Sequence, residues 1–191
     1  QEEAWSALWA VAQACEVRNR PELAKELYSN LTTNFSKCDV ADTAKGCLRR
    51  LGMLGKEFGP LKFTALDGKE VDVAKYRGKV VAVYFWATWC RNCLRDAPLI
   101  HEAYDRYHRL GFEIIAISLD RDKDTLQKFL AEHEIPWPQY FDGKAWDSEF
   151  IKSWGVSLLP EALLVDRKGV LRKMHLEGEL LVDALEQLLD A

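Results

Sequence analysis

The stretch VVAVYFWATWCRNC, Val80 to Cys93, constrains the fold more than any other part of this chain. Seven residues, β-branched, aromatic or small, run without a charge from Val80 to Trp86. A run so short and continuous reads as a strand buried on both faces. After three intervening residues come Cys90 and then Cys93, and a helical pattern follows to about Leu110, closed by Gly111. A strand covered on both faces needs a layer above and below it, so the fold class is α/β.

The flanking sequence extends this reading. FEIIAISL is a second buried strand, DKDTLQKFLAEHE an amphipathic helix, PWPQYFD a short extended piece and AWDSEFIKSWG a helix. EALLVD and VLRKMHL are strands joined by the turn RKG, and GELLVDALEQLLD closes the chain as a helix. Upstream, KFTALDGKEVDV carries a hairpin signal at Asp67-Gly68. The predicted order is β-hairpin, β, α, β, α, short β, α, β, β, α. Two strands joined through a helix form a right-handed parallel unit, and the last two pair antiparallel. The sheet is therefore mixed and flanked by helices.

Residues 1–55 have a different texture and read as a small all-helical extension, with 56–191 as the main domain. Trp5, Leu8, Trp9 and Ala12 share one helical face. Pro21 suits a first helical position, and Leu23, Leu27 and Leu31 mark the next apolar stripe. A third segment runs from about Asp42 to Leu54. Helices this short are marginal alone and need a surface to pack on.

Net charge is −4 over 191 residues, which argues against nucleic acid as a partner. No apolar run reaches the roughly 18–20 residues of a membrane span. The chain starts at Gln1 rather than Met, so a signal peptide or membrane tether removed with the N-terminus is an expectation. Five cysteines are too few for a disulfide scaffold of this length, so packing must supply the core.

Three chemistries compete for Cys90 and Cys93. A structural zinc site needs four ligands, usually with a second close pair. Cys38 and Cys47 are nine apart, and His101 and His108 lie seven apart on one helix as surface positions. An inert disulfide across two residues closes little chain and stabilises modestly. A redox dithiol fits the local physics best. Cys90 falls where a buried strand ends and a helix begins, and a helix N-terminus presents unpaired N–H groups and partial positive charge. Both favour thiolate, the nucleophile of disulfide exchange, and Cys93 one turn on can resolve the mixed disulfide.

These residues, with RDAP after the motif, GFEIIAISLD and GVSLLPEALLVDRKGVL, resemble the TlpA/ResA-like thiol-disulfide oxidoreductases of bacteria. That family lies in the thioredoxin superfamily, among redoxin/AhpC-TSA-like domains, and the resemblance covers residues of about 58–191. It implies a thioredoxin-like fold, attack by Cys90 and resolution by Cys93. It also implies that Trp89 flanks and shields the sulfurs, and that Pro160 is a cis-proline facing the dithiol beside a substrate strand. Asp96 matches an acidic residue implicated in proton handling; a carboxylate in the first turns of a helix is also favourable for structural reasons alone.

The sequence departs from the family at several positions. Asn92 replaces the proline common before the second cysteine. Arg91 places a positive charge between the cysteines, which favours thiolate and a more oxidising couple. Tyr84 stands where thioredoxins carry a buried Asp and relatives often Asn, removing the usual buried proton acceptor. Glu161 follows Pro160 where Thr is common. There it could oppose Arg91 or act as the base for Cys93; equally, it could be a solvent-facing residue at a strand start. The expectation is that Asp96 or Glu161 replaces the missing acid.

Other features carry less. DRDKD lacks the Gly and Glu of a calcium loop and reads as a polar turn. The sequons at Asn30 and Asn34 read as chance. Trp137, Trp146 and Trp154 read as core. Cys15 reads as a buried free thiol, and Cys38–Cys47 as a disulfide if the residues between them include a loop. Through one continuous helix their Cα atoms would lie about 13 Å apart, too far to bridge.

The functional expectation is a thiol-disulfide oxidoreductase acting on protein thiols and disulfides with an upstream redox partner, extracytoplasmic by family resemblance, with no cofactor implied. A peroxidase is the alternative enzyme, although Ala87 stands where peroxiredoxins carry Thr or Ser. The alternative of another class is a redox-sensing binding module that recruits a partner through residues 1–55.

Overall fold

The computed structural model describes residues 2–190. In chain order its helices and strands are α1 (Glu2–Val17), α2 (Pro21–Asn34), α3 (Ala41–Met53), β1 (Lys62–Thr64), β2 (Glu70–Asp72), β3 (Val80–Trp86) and α4 (Arg91–Tyr107). There follow β4 (Phe112–Ser118), α5 (Lys123–Glu132), β5 (Gln139–Tyr140), α6 (Glu149–Ser153), β6 (Glu161–Val165), β7 (Leu171–Lys173) and α7 (Gly178–Leu189). From β1 onward this is the order predicted. The chain forms two compact units: one runs to Met53 and takes in Trp146–Ser157, the other comprises Leu54–Ala145 and the chain from Leu158.

The second unit is built on a five-stranded mixed sheet in the order β5-β4-β3-β6-β7. Strands β3, β4 and β5 are parallel, β6 runs antiparallel to β3, and β7 antiparallel to β6. All seven residues of β3, a continuous apolar run, are buried, and so are all seven of β4, Glu113 and Ser118 included. Helix α7 packs on β3, β6 and α4. The hairpin β1–β2 turns at Gly68, whose φ of 84° suits glycine, and stands as a separate two-stranded sheet.

In the helical unit, α1 buries Ala12, Cys15 and Glu16, and Trp9 meets Tyr28 of α2 with ring centroids 5.5 Å apart. Pro21 opens α2 as expected, but the buried stripe is Ala24, Tyr28 and Leu31, while Leu23 is 40% exposed. The apolar spacing around Leu23 marks a helix, but the face that is buried is the one carrying Ala24, Tyr28 and Leu31.

Inside this unit Glu16 accepts hydrogen bonds from Tyr28 Oη at 2.7 Å and from the Arg50 guanidinium. Arg50 Nη1 also donates to the Gly155 carbonyl at 3.1 Å. Residues 146–157 meet α3 at glycine: a Cβ on Gly46 would fall 2.1 Å from the Lys152 carbonyl oxygen. Cys38 and Cys47 are not joined in a disulfide, which corrects the expected pairing. Cys47 lies inside α3 on its buried face, and its thiol donates to the Gly155 carbonyl at 3.3 Å. Cys15 is free and buried, as predicted.

Candidate active site

Strand β3 ends at Trp86 inside the sheet, and α4 begins at Arg91. Of the four residues between, Thr88 is held by a carboxylate. Asp120, buried just past β4, accepts from the Thr88 N–H at 3.1 Å and the Thr88 hydroxyl at 2.6 Å. The Ser118 hydroxyl donates to its other oxygen at 2.7 Å. Leu119 N–H donates to the Trp86 carbonyl at 2.8 Å, extending the strand pairing to the edge of the loop. Sequence reasoning took Asp120 as the start of a polar turn. The signal that could have found it is a carboxylate immediately after an apolar strand, where burial demands donors.

Cys90 is the N-cap of α4, with extended φ and ψ of −81° and 103°, and its Sγ accepts the Cys93 backbone N–H at 3.1 Å. One of the helix's unpaired donors is therefore aimed at the sulfur. A disulfide joins Cys90 and Cys93. Cys90 is 7% exposed and Cys93 1%, so an incoming group reaches Cys90 first.

Trp89 is 53% exposed, and its indole N–H donates to the Leu119 carbonyl at 3.3 Å, holding the ring beside the loop. Arg91 is exposed at the first position of α4. The Leu159–Pro160 peptide is cis, as expected. Because Glu161 pairs with Phe85, Pro160 enters the sheet beside the end of β3 from which the chain runs to Cys90.

Asp96 and Glu161 are both buried, at 5% exposure each. Glu161 is therefore not solvent-facing. The partner the structure gives its carboxylate is His175, not Arg91: it accepts the His175 backbone N–H at 2.9 Å and lies 2.7 Å from Nδ1. A carboxylate only accepts, so His175 Nδ1 carries the hydrogen. Asp96 accepts from Arg95 Nε at 2.9 Å through Oδ1. Its other oxygen, Oδ2, has no hydrogen-bond partner among the described residues, and a Cβ on Gly178 would sit 3.5 Å from it. Tyr84 Oη is likewise buried and unpartnered. Burial raises the Tyr84 pKa, and the charges of Asp96 and Glu177 raise it further, so the phenol stays protonated.

A cavity of about 470 Å³ opens beside Cys93. Tyr84, Trp86, Phe129 and Trp137 supply aromatic walls, with Pro98 and Ile135 between them. Trp137 is buried here, Trp154 is buried in the helical unit, and Trp146 is 37% exposed rather than core.

Comparison with known proteins agrees with this geometry. The family described as Redoxin matches residues 50–189. Thiol-disulfide oxidoreductase ResA of Bacillus thuringiensis subsp. konkukian is 32% identical over 136 residues, covering 71% of this chain and 76% of the relative. The thioredoxin domain of a thiol-disulfide oxidoreductase from Bacteroides vulgatus superposes with a TM-score of 0.63 at 25% identity, covering 71% of this chain and 97% of that one. A thiol:disulfide interchange protein from Bacteroides sp. gives a TM-score of 0.62 at 25% identity, over 72% and 91% of the two chains.

Proposed function

The chain belongs to the redoxin family and is an oxidoreductase related to the ResA thiol-disulfide oxidoreductases, and from that premise we propose that it exchanges disulfides with other proteins through Cys90 and Cys93. The observation that carries the reading is the disulfide at the start of α4, with the more exposed sulfur placed as the helix cap.

In the reducing direction, the Cys90 thiolate attacks one sulfur of a protein disulfide. A Cys90–substrate disulfide forms and the substrate's other sulfur leaves as thiolate. Cys93 then loses its proton and attacks Cys90 Sγ. The Cys90–Cys93 disulfide forms, and the second substrate sulfur leaves. Two substrate sulfurs are reduced and two enzyme sulfurs oxidised; an upstream dithiol partner resets the pair. In the oxidising direction the same steps run backwards. The N–H that Cys93 aims at Cys90 and the field of α4 stabilise the thiolate.

Asp96 is the acid we assign to the Cys93 proton, because it is buried on the same helix with one oxygen uncommitted. Glu161 we assign to holding His175, and Pro160 to lining the strand on which substrate lies. The work takes place outside the cytoplasm, a setting that follows the family resemblance; among the described residues no helix is long and apolar enough to cross a membrane.

The test is a trapping experiment. Reduced Cys93→Ser protein mixed with oxidised insulin should accumulate a Cys90-linked mixed disulfide that dithiothreitol reverses, while Cys90→Ser should trap nothing. Equal trapping by both variants would overturn the assignment.

A further inference from the structure

Two buried polar atoms near Cys93 have no hydrogen-bond partner among the described residues: Tyr84 Oη and Asp96 Oδ2. Unpartnered buried oxygens are uncommon, and those beside a reacting group point to function. Tyr84 lies mid-sheet, opposite Ala116 of β4 and Ala162 of β6. These small neighbours leave room for its ring, which shares the cavity wall with Cys93. A Cβ on Gly178, at the start of α7, would sit 3.5 Å from Asp96 Oδ2. The Asp96 charge acts on Tyr84, so the two groups share one electrostatic environment.

We infer that Tyr84 is a positioning residue for the proton of Cys93, its hydroxyl and Asp96 Oδ2 together holding a water that carries this proton to the carboxylate. One water reaching both orphaned oxygens would give each a partner, since a buried water makes two to four polar contacts. The inference rests on the disulfide-exchange reading above. The step balances simply. The S–H bond of Cys93 breaks and its proton passes to the water, while a proton of the water passes to Asp96 Oδ2. The thiolate left on Cys93 attacks Cys90 Sγ, and the Cys90–substrate disulfide breaks with its electron pair leaving on the substrate sulfur. Tyr84 keeps its own proton throughout; it donates to the water and fixes where the water sits. A phenol thus occupies the strand position where the sequence lacks a buried acid, with the acid itself moved to α4.

The charged and titratable groups around Asp96 are Arg95 on α4, Glu177 at the N-cap of α7 and Tyr84 on β3. On the cavity side of Cys93 stand His101, His133 and Glu134.

The experiment mixes reduced protein with 5,5′-dithiobis(2-nitrobenzoate) in a stopped-flow instrument from pH 5 to 9. Attack by Cys90 releases the first nitrothiolate and resolution by Cys93 the second. In Tyr84→Phe the second phase should slow roughly tenfold near neutrality, its pH midpoint should rise by about one unit, and the first phase should stay within about twofold, a loss at the low end of general-base effects. Asp96→Asn should slow the second phase at least as much, and Tyr84→Phe/Asp96→Asn no more than Asp96→Asn alone. A second phase in Tyr84→Phe that overlays the parent's at every pH would overturn the inference, as would fully multiplicative effects of the two substitutions. Failure of the parent to give either phase would instead sink the exchange reading itself. Should Tyr84→Phe not fold, an unchanged second-phase profile in Asp96→Asn would overturn the path, and a raised midpoint there would support it.

Discussion

Cys90 Sγ accepts the backbone N–H of Cys93 at 3.1 Å, so the sulfur proposed to react first also caps the helix carrying the sulfur proposed to react second. On reduction the bond between the sulfurs breaks, and that N–H should stay aimed at Cys90. A thiolate there gains a charge-assisted hydrogen bond and the favourable end of α4. In reduced protein, iodoacetamide should therefore modify Cys90 well before Cys93. In Cys93→Ser the alkylation rate should titrate below the usual free-cysteine midpoint of about 8.5. A midpoint at the free-cysteine value would contradict the capping argument.

Arg91 is exposed, which limits what its charge can do. It favours the thiolate, hence the reduced form, so Arg91→Ala should lower the reduction potential and make the protein a stronger reductant. Since water screens an exposed charge, the shift should be on the order of 10–20 mV, less than one tenfold step of the equilibrium. It should shrink further at high ionic strength. Equilibration against glutathione buffers at two salt concentrations measures both effects; an upward shift would reverse the sign assigned to Arg91.

The dithiol, the helix it opens and the cis peptide before β6 were all legible, because each is encoded locally. A buried run followed by a helical pattern fixes a strand-to-helix junction, and the residues around Pro160 carry a family pattern. What escaped was set by distant partners. Glu161 looked free to face Arg91 or solvent, and only the return of β7 brings His175 to it. Asp120 looked like a turn residue until Thr88 and Ser118 were seen to converge on it. Cys38 and Cys47 were close enough in sequence to pair, but α3 commits the Cys47 thiol to Gly155. Spacing along the chain describes a face; it does not say which remote residue arrives there.

Asp120 makes a prediction that separates scaffold from chemistry. Asp120→Ala leaves the Thr88 N–H and two hydroxyls without their acceptor, at a cost of about 1–3 kcal/mol of stability. The loop carrying Trp89 to Cys90 should loosen with it. The urea midpoint should fall, and the first phase of the nitrobenzoate reaction should change as well, although Asp120 lies outside the proposed proton path. Asp120→Asn keeps one acceptor oxygen and should lose less on both measures. Full stability in Asp120→Ala would mean the loop is held by other contacts.

Gly46 provides the sharpest test of the helical unit, because its neighbours there are backbone. A Cβ would come within 2.1 Å of the Lys152 carbonyl oxygen and 2.4 Å of the Gly155 nitrogen. Neither atom ends a flexible side chain, so relief requires moving the 146–157 segment off α3. That movement would pull the Gly155 carbonyl from Arg50 and from the Cys47 thiol together. Arg50 is buried with Glu16, and disturbing a buried ion pair from one side is costly. Gly46→Ala should therefore destabilise the unit by about 3 kcal/mol or more, at the upper end of single-substitution effects. Gly52→Ala, on the same helix with open space around it, should be neutral or slightly stabilising through helix propensity. Labelling of Cys47 under native conditions reads the same event: Gly46→Ala should expose this buried thiol to maleimide, and Gly52→Ala should leave it protected. Equal stability and equal protection in the two variants would show that 146–157 does not seat on α3 as described.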